Sequence, residues 1–288
     1  MIIVRLKSGL GNQLFQYALG LHLSRKSNSP LFLDNSLFHR SNRKPKLRFF
    51  ECEYDTVSKI KLRFLSSDVI RFLSKRLRCN FYHSVVRDPK WQRLELTGRP
   101  NLVLIGYWSF NSYFDEIRRE LLSNYRVKEV FFNEPYLRVR ERIQKTEAVA
   151  IHIRRGDYVS NKQFNELFGV LPLEYYLAGV ERIKRKVDHP RFFVFSDDPA
   201  WVKNFFSFEE EYFLVSEQEH LEDYHEFDLM RYCKHHIISN STFSWWAAYL
   251  NDYEGRVIIQ PRKWYQSKLA QDAYETNEFL FIQGAIRI

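Results

Sequence analysis

Apolar positions in this chain cluster into short runs, each followed by a polar turn and then by a longer segment with apolar residues at helical spacing. Runs of that kind read as buried parallel strands, and the segments between them as crossover helices. The pattern predicts strands over residues 1–6, 30–34, 102–107, 147–153, 191–196, 211–215, 235–239 and 256–260. It predicts helices over residues 12–26, 112–123, 173–187, 199–206, 223–232 and 241–250. Strand and helix alternate as βαβ units require, so the expected class is α/β. At 288 residues the chain exceeds the usual single core, and the charged stretch 132–145 marks the expected boundary. We therefore expect domains 1–145 and 146–288, each a doubly wound layer, facing each other across a cleft, with the last residues packing back on the first domain.

Aromatic residues make up 17% of the chain and apolar residues 45%, enough for a substantial core and incompatible with a disordered chain. Cys52, Cys79 and Cys233 lie far apart and match no zinc spacing, which suits a reducing compartment. No run approaches the roughly 20 apolar residues of a membrane-spanning helix. The chain opens on the strand-like MIIVRL, so the expectation is a soluble cytoplasmic protein.

Charge is unevenly spread. Residues 1–130 hold 24 Lys and Arg against 11 Asp and Glu, whereas the remainder holds 20 against 24. Much of the excess lies in residues 40–48 and 59–78. The second segment sets Leu62, Leu65, Val69, Phe72 and Leu73 at helical spacing with cations between them. Such a helix either rests on an anionic membrane surface or, as is commoner, packs its apolar face on the core, and the core reading is taken here. A basic nucleic-acid-binding protein is a second class the composition permits. The basic segments contain no recognisable RNA or DNA module, and a nucleic-acid partner is not expected.

Candidate chemistry follows the strands. In open α/β sheets ligands bind beyond the carboxyl ends of strands, so AIHIRRGDYV (150–159) is the most informative stretch. A buried run ends there in His152, Arg154, Arg155 and Asp157. Adjacent guanidinium forks before Gly156 suit a diphosphate, and a solvated basic turn is the other reading. Asp197 and Asp198 end the next apolar run; a carboxylate there can accept from guanine N1–H and its exocyclic amine, or cap the helix starting at Pro199. Ser241, Thr242 and Ser244 follow a third run at a helix start, where free N–H groups both accept a cap and bind anions. In the first half, SGLGNQ (8–13) lets Gly9 and Gly11 approach a ligand while Asn12 and Gln13 donate hydrogen bonds; a tight turn that packs the helix explains it equally well. Its spacing is not the dinucleotide fingerprint, because Leu14 stands where the third glycine would fall, and no P-loop is present.

Taken together and in order, SGLGNQLFQYALG (8–20), GYWSFNSYF (106–114), IHIRRGDYV (151–159), FVFSDD (193–198), CKHHIISNSTFSWWAAYLN (233–251) and PRKWY (261–265) resemble the motif set of the α-1,2-fucosyltransferases. The resemblance implies a GT-B fold of two Rossmann-like domains. It also implies inverting transfer of L-fucose from GDP-β-L-fucose to a galactose 2-hydroxyl in a glycan, with no cofactor and no metal. It assigns His152, Arg154 and Arg155 to the donor, with Arg155 on the diphosphate, and Asp197 or Asp198 to guanine. Ser241, Thr242 and Ser244 would hold phosphate, and Gly11, Asn12 and Gln13 would face fucose and acceptor. Asp157 is the candidate base, with orientation of the arginines by a salt bridge as its other role. A different nucleotide-sugar donor, such as a UDP-sugar, stays open. Acceptor choice is expected in residues 39–46 and 87–100, and the acceptor is expected to be lipid-linked, which would bring the basic half to the inner face of a membrane. Ala247, His236 and Leu14 depart mildly from the family pattern, as does the tail FLFIQGAIRI.

Overall fold

A computed structural model describes residues 1–40, 42–65, 67–76, 83–90, 92–96, 101–277 and 279–288. Cys79, residues 77–78 of the basic segment, and residues 41, 91 and 97–100 of the expected acceptor loops lie outside the described residues. The chain forms two compact units, Met1–Arg126 and Val127–Ile288.

The first unit contains β1 (Ile2–Arg5), α1 (Leu10–Ser27), β2 (Leu31–Asp34), β3 (Asp55–Thr56), α2 (Lys59–Leu65), α3 (Asp68–Arg76), β4 (Ser84–Arg87), β5 (Leu102–Ile105) and α4 (Arg118–Asn124). All five strands are parallel, in the order β3-β2-β1-β5-β4. Strand order reverses between β1 and β5, so the loop after β1 opens at a topological switch point. Alternate strand residues face opposite sides. Ile3 and Val103 pack with Val57 and Leu62 of the α2 side. Gly20 of α1 lies against Val4 and Leu31 on the other, where an added Cβ would come within 2.4 Å of Val4 and 2.9 Å of Leu31. The Arg5 Nε to Asp34 Oδ2 ion pair, 2.6 Å long, joins β1 to β2, with Asp34 fully buried.

The basic segment departs from expectation. A single helix with Val69, Phe72 and Leu73 on the core is replaced by two helices, because α2 stops at Leu65 and α3 restarts the helical phase at Asp68. Leu62 and Ile70 are buried, whereas Val69, Phe72 and Leu73 are exposed. The helix expected over 112–123 is confined to α4, preceded by 3₁₀ turns at Asn111–Tyr113 and Asp115–Ile117.

The second unit contains α5 (Glu134–Gln144), β6 (Glu147–Ile153), α6 (Gly156–Ser160), α7 (Lys162–Phe168), α8 (Leu173–Lys184), β7 (Pro190–Ser196), α9 (Pro199–Phe205), β8 (Tyr212–Leu214), α10 (Asp223–Tyr232), β9 (His235–Ile237), α11 (Thr242–Tyr249), β10 (Ile258–Gln260), α12 (Lys268–Asn277) and β11 (Ile286–Arg287). Its strands are also parallel, in the order β11-β10-β9-β6-β7-β8. Val149, Ile151 and Ile153 of β6 pack with Tyr176, Val180 and Ile183 of α8 and Val202 of α9. The alternate residues Ala148, Ala150 and His152 face the other side, where the His152 ring lies 5.5 Å from that of Phe243 on α11.

The charged stretch expected to mark the domain boundary is the amphipathic helix α5, which buries Tyr136, Val139 and Ile143. The Tyr136 hydroxyl donates to Asp228 Oδ2 of α10 at 2.7 Å, so the division falls at 126/127 and not at 145/146. The tail, expected to pack on the first domain, belongs to the second unit: it adds β11 to the edge of the second sheet, with Ile259 opposite Ile286, and Trp245 Nε1 donates to Leu280 O at 2.7 Å. Cys52 and Cys233 are buried, and Cys52 Sγ donates to Asn124 O at 3.3 Å. Among the described residues no helix is long and apolar enough to cross a membrane.

Gly20→Ala forces a methyl into the contact between α1 and Val4. It is expected to destabilise the protein by about 1–3 kcal/mol, the usual cost of overpacking, read from the midpoint of chemical denaturation.

Candidate functional site

Three neighbouring strands of the second sheet end side by side. In register, His152 lies opposite Phe195 and Ile153 opposite Ser196, while Ile151 lies opposite Ile237. Strand order reverses between β6 and β9, so the carboxyl ends of β6, β7 and β9 form the switch point where an open sheet takes its ligand. That edge brings together His152, Arg154, Arg155, Asp157, Asp197, Asp198, Ser241, Thr242 and Ser244.

The charged residues form one network. Arg154 Nη2 donates to Asp157 Oδ1 at 2.5 Å and its Nη1 pairs with Asp197 Oδ2 at 2.7 Å. The backbone N–H of Arg155 donates to Asp197 Oδ1 at 2.8 Å, and its Nε to Asp198 Oδ2 at 3.1 Å. The Arg155 guanidinium lies 4.1 Å from the centre of the Trp201 ring, a cation–π contact that orients its plane. Asp198 also caps α9 by accepting from Trp201 N at 3.1 Å. Gly156 is required beside this network, since a Cβ there would stand 2.3 Å from Asp197 Oδ2.

Both aspartates at the end of β7 are engaged within the cluster, Asp197 by Arg154 and Asp198 by Arg155, and Asp198 takes the capping role expected before Pro199. Arg154 is likewise held by two carboxylates, whereas the ion pair of Arg155 with Asp198 is made through Nε.

On the β9 side, His152 Nδ1 lies 2.8 Å from Ser239 Oγ, which lies 3.4 Å from Ser244 Oγ. Burial, with the Arg154 charge second, pushes the His152 imidazole down to about 3, so it is neutral at pH 7. Ser241 is the N-cap of α11 and accepts from Phe243 N at 3.4 Å. Ser244 is fully buried and donates to Ser241 O at 3.4 Å. Asn240 anchors this loop by donating to Phe168 O at 3.0 Å and Trp264 O at 3.1 Å. Tyr158, whose hydroxyl donates to Asn240 O at 3.0 Å, links the loop to α6.

In the first unit, Gly11, Asn12 and Gln13 lie in the first turn of α1. Gln13 is fully buried, and its amide donates to Ser8 O and Lys44 O at 3.0 Å while Lys46 N donates to its Oε1 at 2.8 Å. It is therefore a tie for the 44–46 loop and not a ligand donor. Asn12 Nδ2 donates to Ser8 Oγ at 3.2 Å, and Ser8 itself has a left-handed φ of 71°. Gln16, which the sequence reading passed over, donates to Gly106 O at 2.9 Å and joins this loop to the GYW turn after β5. In that turn Asp88 Oδ2 accepts from Tyr107 N at 2.8 Å and Trp108 N at 2.9 Å.

Glu226 of α10 was also passed over, because one acid in an amphipathic helix carries no sequence signal. Burial pushes its carboxyl up to about 7 against a lowering hydrogen bond from Ser216, and the Asp223 and Asp197 charges add to the rise. Ser216 Oγ in turn accepts from Ser196 N at 2.8 Å, which puts Glu226 behind the end of β7.

Two Rossmann-like parallel sheets, the second with a guanidinium and helix-terminus site at its switch point, are the architecture of the GT-B fold. The fucosyltransferase NodZ from Bradyrhizobium shares that fold, with a TM-score of 0.52 at 14% identity over 86% of this chain and 92% of its own. NodZ has also been solved co-crystallized with GDP, and that structure matches with a TM-score of 0.50. The model of glycosyl transferase family 11 matches residues 1–282, and the chain belongs to that family. Its relatives include the O-antigen biosynthesis glycosyltransferase WbnK of Escherichia coli, 31% identical over 93% of this chain and 98% of that protein. An alpha-1,2-colitosyltransferase of Escherichia coli is 30% identical over 92% of this chain and 93% of its own length.

The raised Glu226 carboxyl sets a sign for stability. Between about 4.5 and about 7 the folded state holds a proton that the unfolded chain has released, so Glu226 costs stability progressively as pH rises through that window. Glu226→Gln is expected to melt a few degrees higher than the parent at pH 8 and together with it below pH 4.5, as read by calorimetry across pH.

Proposed function

We propose that this glycosyltransferase moves L-fucose from GDP-β-L-fucose to the 2-hydroxyl of a galactose in a glycan, with inversion and without a metal ion. The observation that carries the reading is the Arg154–Arg155 network at the switch point, beside the start of α11, within a chain whose ordered motifs are those of α-1,2-fucosyltransferases. In the transfer, the acceptor oxygen bonds to the anomeric carbon as the bond to the phosphate oxygen breaks on the opposite face; GDP leaves with the electron pair and the hydroxyl proton passes to solvent. The leaving diphosphate gains charge, and fixed cations and N–H groups stabilise it most at that moment.

Arg155 is the proposed diphosphate ligand. Asp198 takes its Nε and Trp201 its face, which leaves the terminal nitrogens as the fork that suits phosphate. Ser241, Thr242 and Ser244 are proposed to hold phosphate at the α11 start, with neutral His152 and Arg154 shaping the donor side. Gly11 and Asn12 are proposed to face fucose and acceptor. Asp157 is the candidate base or, through a salt bridge, the residue that orients the arginines; its 2.5 Å bond to Arg154 favours the positioning role.

A second donor has an observation in its favour. The similarity to an alpha-1,2-colitosyltransferase supports a GDP-linked colitose as the alternative sugar. A lipid-linked glycan of O-antigen type is the proposed acceptor class, on the similarity to WbnK.

The test is GDP release from GDP-fucose with lactose in the presence of EDTA, with GDP-colitose, GDP-mannose and UDP-galactose in parallel. Release that needs GDP-fucose and acceptor and yields a 2-fucosylated product is the expected result. Preference for GDP-colitose reassigns the sugar, and loss of turnover in EDTA that a divalent metal restores overturns metal independence. Arg155→Ala is expected to lower kcat by about 10²-fold or more with the fold intact, and Lys is expected to rescue poorly because it presents no fork. Asp157→Asn is expected to keep the pH profile of the parent; a profile that loses its acidic limb, with a drop of about 10²–10⁴-fold, would return the base role to Asp157.

A further inference from the structure

We propose that α2 and α3 form a docking surface for an anionic lipid bilayer. Helices on a sheet ordinarily show one apolar face, turned inward. These two show a second. Leu62 of α2 and Ile70 of α3 are buried, yet Ile60 is 83% exposed and Phe64 60% on α2, while Val69 is 66% and Phe72 62% exposed on α3.

The spacing makes the exposed residues faces and not accidents. Ile60 and Phe64 stand four apart, as do Val69 and Leu73, with Phe72 beside them three residues after Val69, so each set lines one side of its helix. Single exposed apolar side chains are ordinary on a protein surface, but grouped large ones mark an interaction site.

Charge decides the occupant. The interleaved residues Lys61, Arg63 and Arg76 are exposed cations, and residues 59–78 carry seven Lys and Arg against the single acid Asp68. Aromatic and aliphatic side chains set among cations match the boundary between acyl chains and anionic headgroups, where the rings enter the hydrocarbon edge and the cations stay with phosphate. A protein groove would be expected to offer acids to the cations and would not require so many. The lipid chemistry also accords with a glycan acceptor carried on a lipid, but the surface argument stands without the sugar assignment.

The experiment is co-sedimentation of the full chain with vesicles of phosphatidylcholine alone and of phosphatidylcholine mixed with phosphatidylglycerol. Binding to the anionic vesicles only, lost near 1 M salt where the screening length falls to ~3 Å, is the expected result. Lys61→Gln with Arg63→Gln is expected to weaken binding about 30-fold. Phe64→Ser with Phe72→Ser is expected to weaken it at least about tenfold, with the circular dichroism spectrum and turnover on a soluble acceptor unchanged. Failure of the parent to bind anionic vesicles, or retention of full binding by the Phe64 and Phe72 variant, overturns the proposal. Preferential binding to an RNA homopolymer over the vesicles overturns it as well. Because turnover on soluble acceptor is read separately, failure of the proposed reaction and failure of the docking surface remain distinguishable.

Discussion

The second unit is organised by the burial of β6. From Ala148 to Ile153 every residue is buried, with β7 bonded along one side and β9 along the other. Such a strand cannot hold charge along its buried run, where the one polar residue, His152, is neutral, so the charged groups lie at its ends. The parallel register then requires β7 and β9 to release their own polar residues at the same edge. The cluster of Arg154, Arg155, Asp197, Asp198 and the α11 start is a consequence of that one constraint.

Within the cluster, ion pairs serve as positioning devices. The side chains of Arg154, Arg155, Asp157, Asp197 and Asp198 are all partly buried, and each guanidinium has a carboxylate partner within 3.1 Å. Partial burial makes an unmatched charge costly, so the network holds its geometry before any ligand arrives, which is the condition for electrostatic stabilisation of a leaving group. Asp198 illustrates the economy of the arrangement, since one carboxylate caps α9 and fixes Arg155. Neutral His152 and the serines next to it complete the polar edge without adding charge.

The first unit uses uncharged ties at the corresponding place. Gln13 and Gln16 are buried amides whose hydrogen bonds join the loop after β1 to the 44–46 segment and to the turn after β5. A glutamine supplies both donor and acceptor, so it bridges two backbones where an ion pair would need a second partner. The cations Lys61, Arg63 and Arg76 of α2 and α3, by contrast, lie on the outside of this unit.

The alternation of apolar runs and helical segments was enough to establish parallel α/β units, because buried strands and crossover helices have different periods and each is written locally. It also located the carboxyl ends of β6, β7 and β9, and with them the candidate site residues. The ordered motifs carried the family. What each residue does at those ends depended on distance: that Asp197 and Asp198 bind arginines, and that Gln13 is a tie and not a ligand donor, follows from contacts across 30 or more positions that no local pattern encodes. Short elements such as β3 and α6 leave too few residues for a period to emerge, and β11 is a strand only because β10 offers it an edge. The boundary at 126/127 and the outward apolar face of α2 and α3 were likewise decided by tertiary structure. Periodicity shows that a helix has an apolar side, but only the packing of its neighbours determines whether that side meets a core.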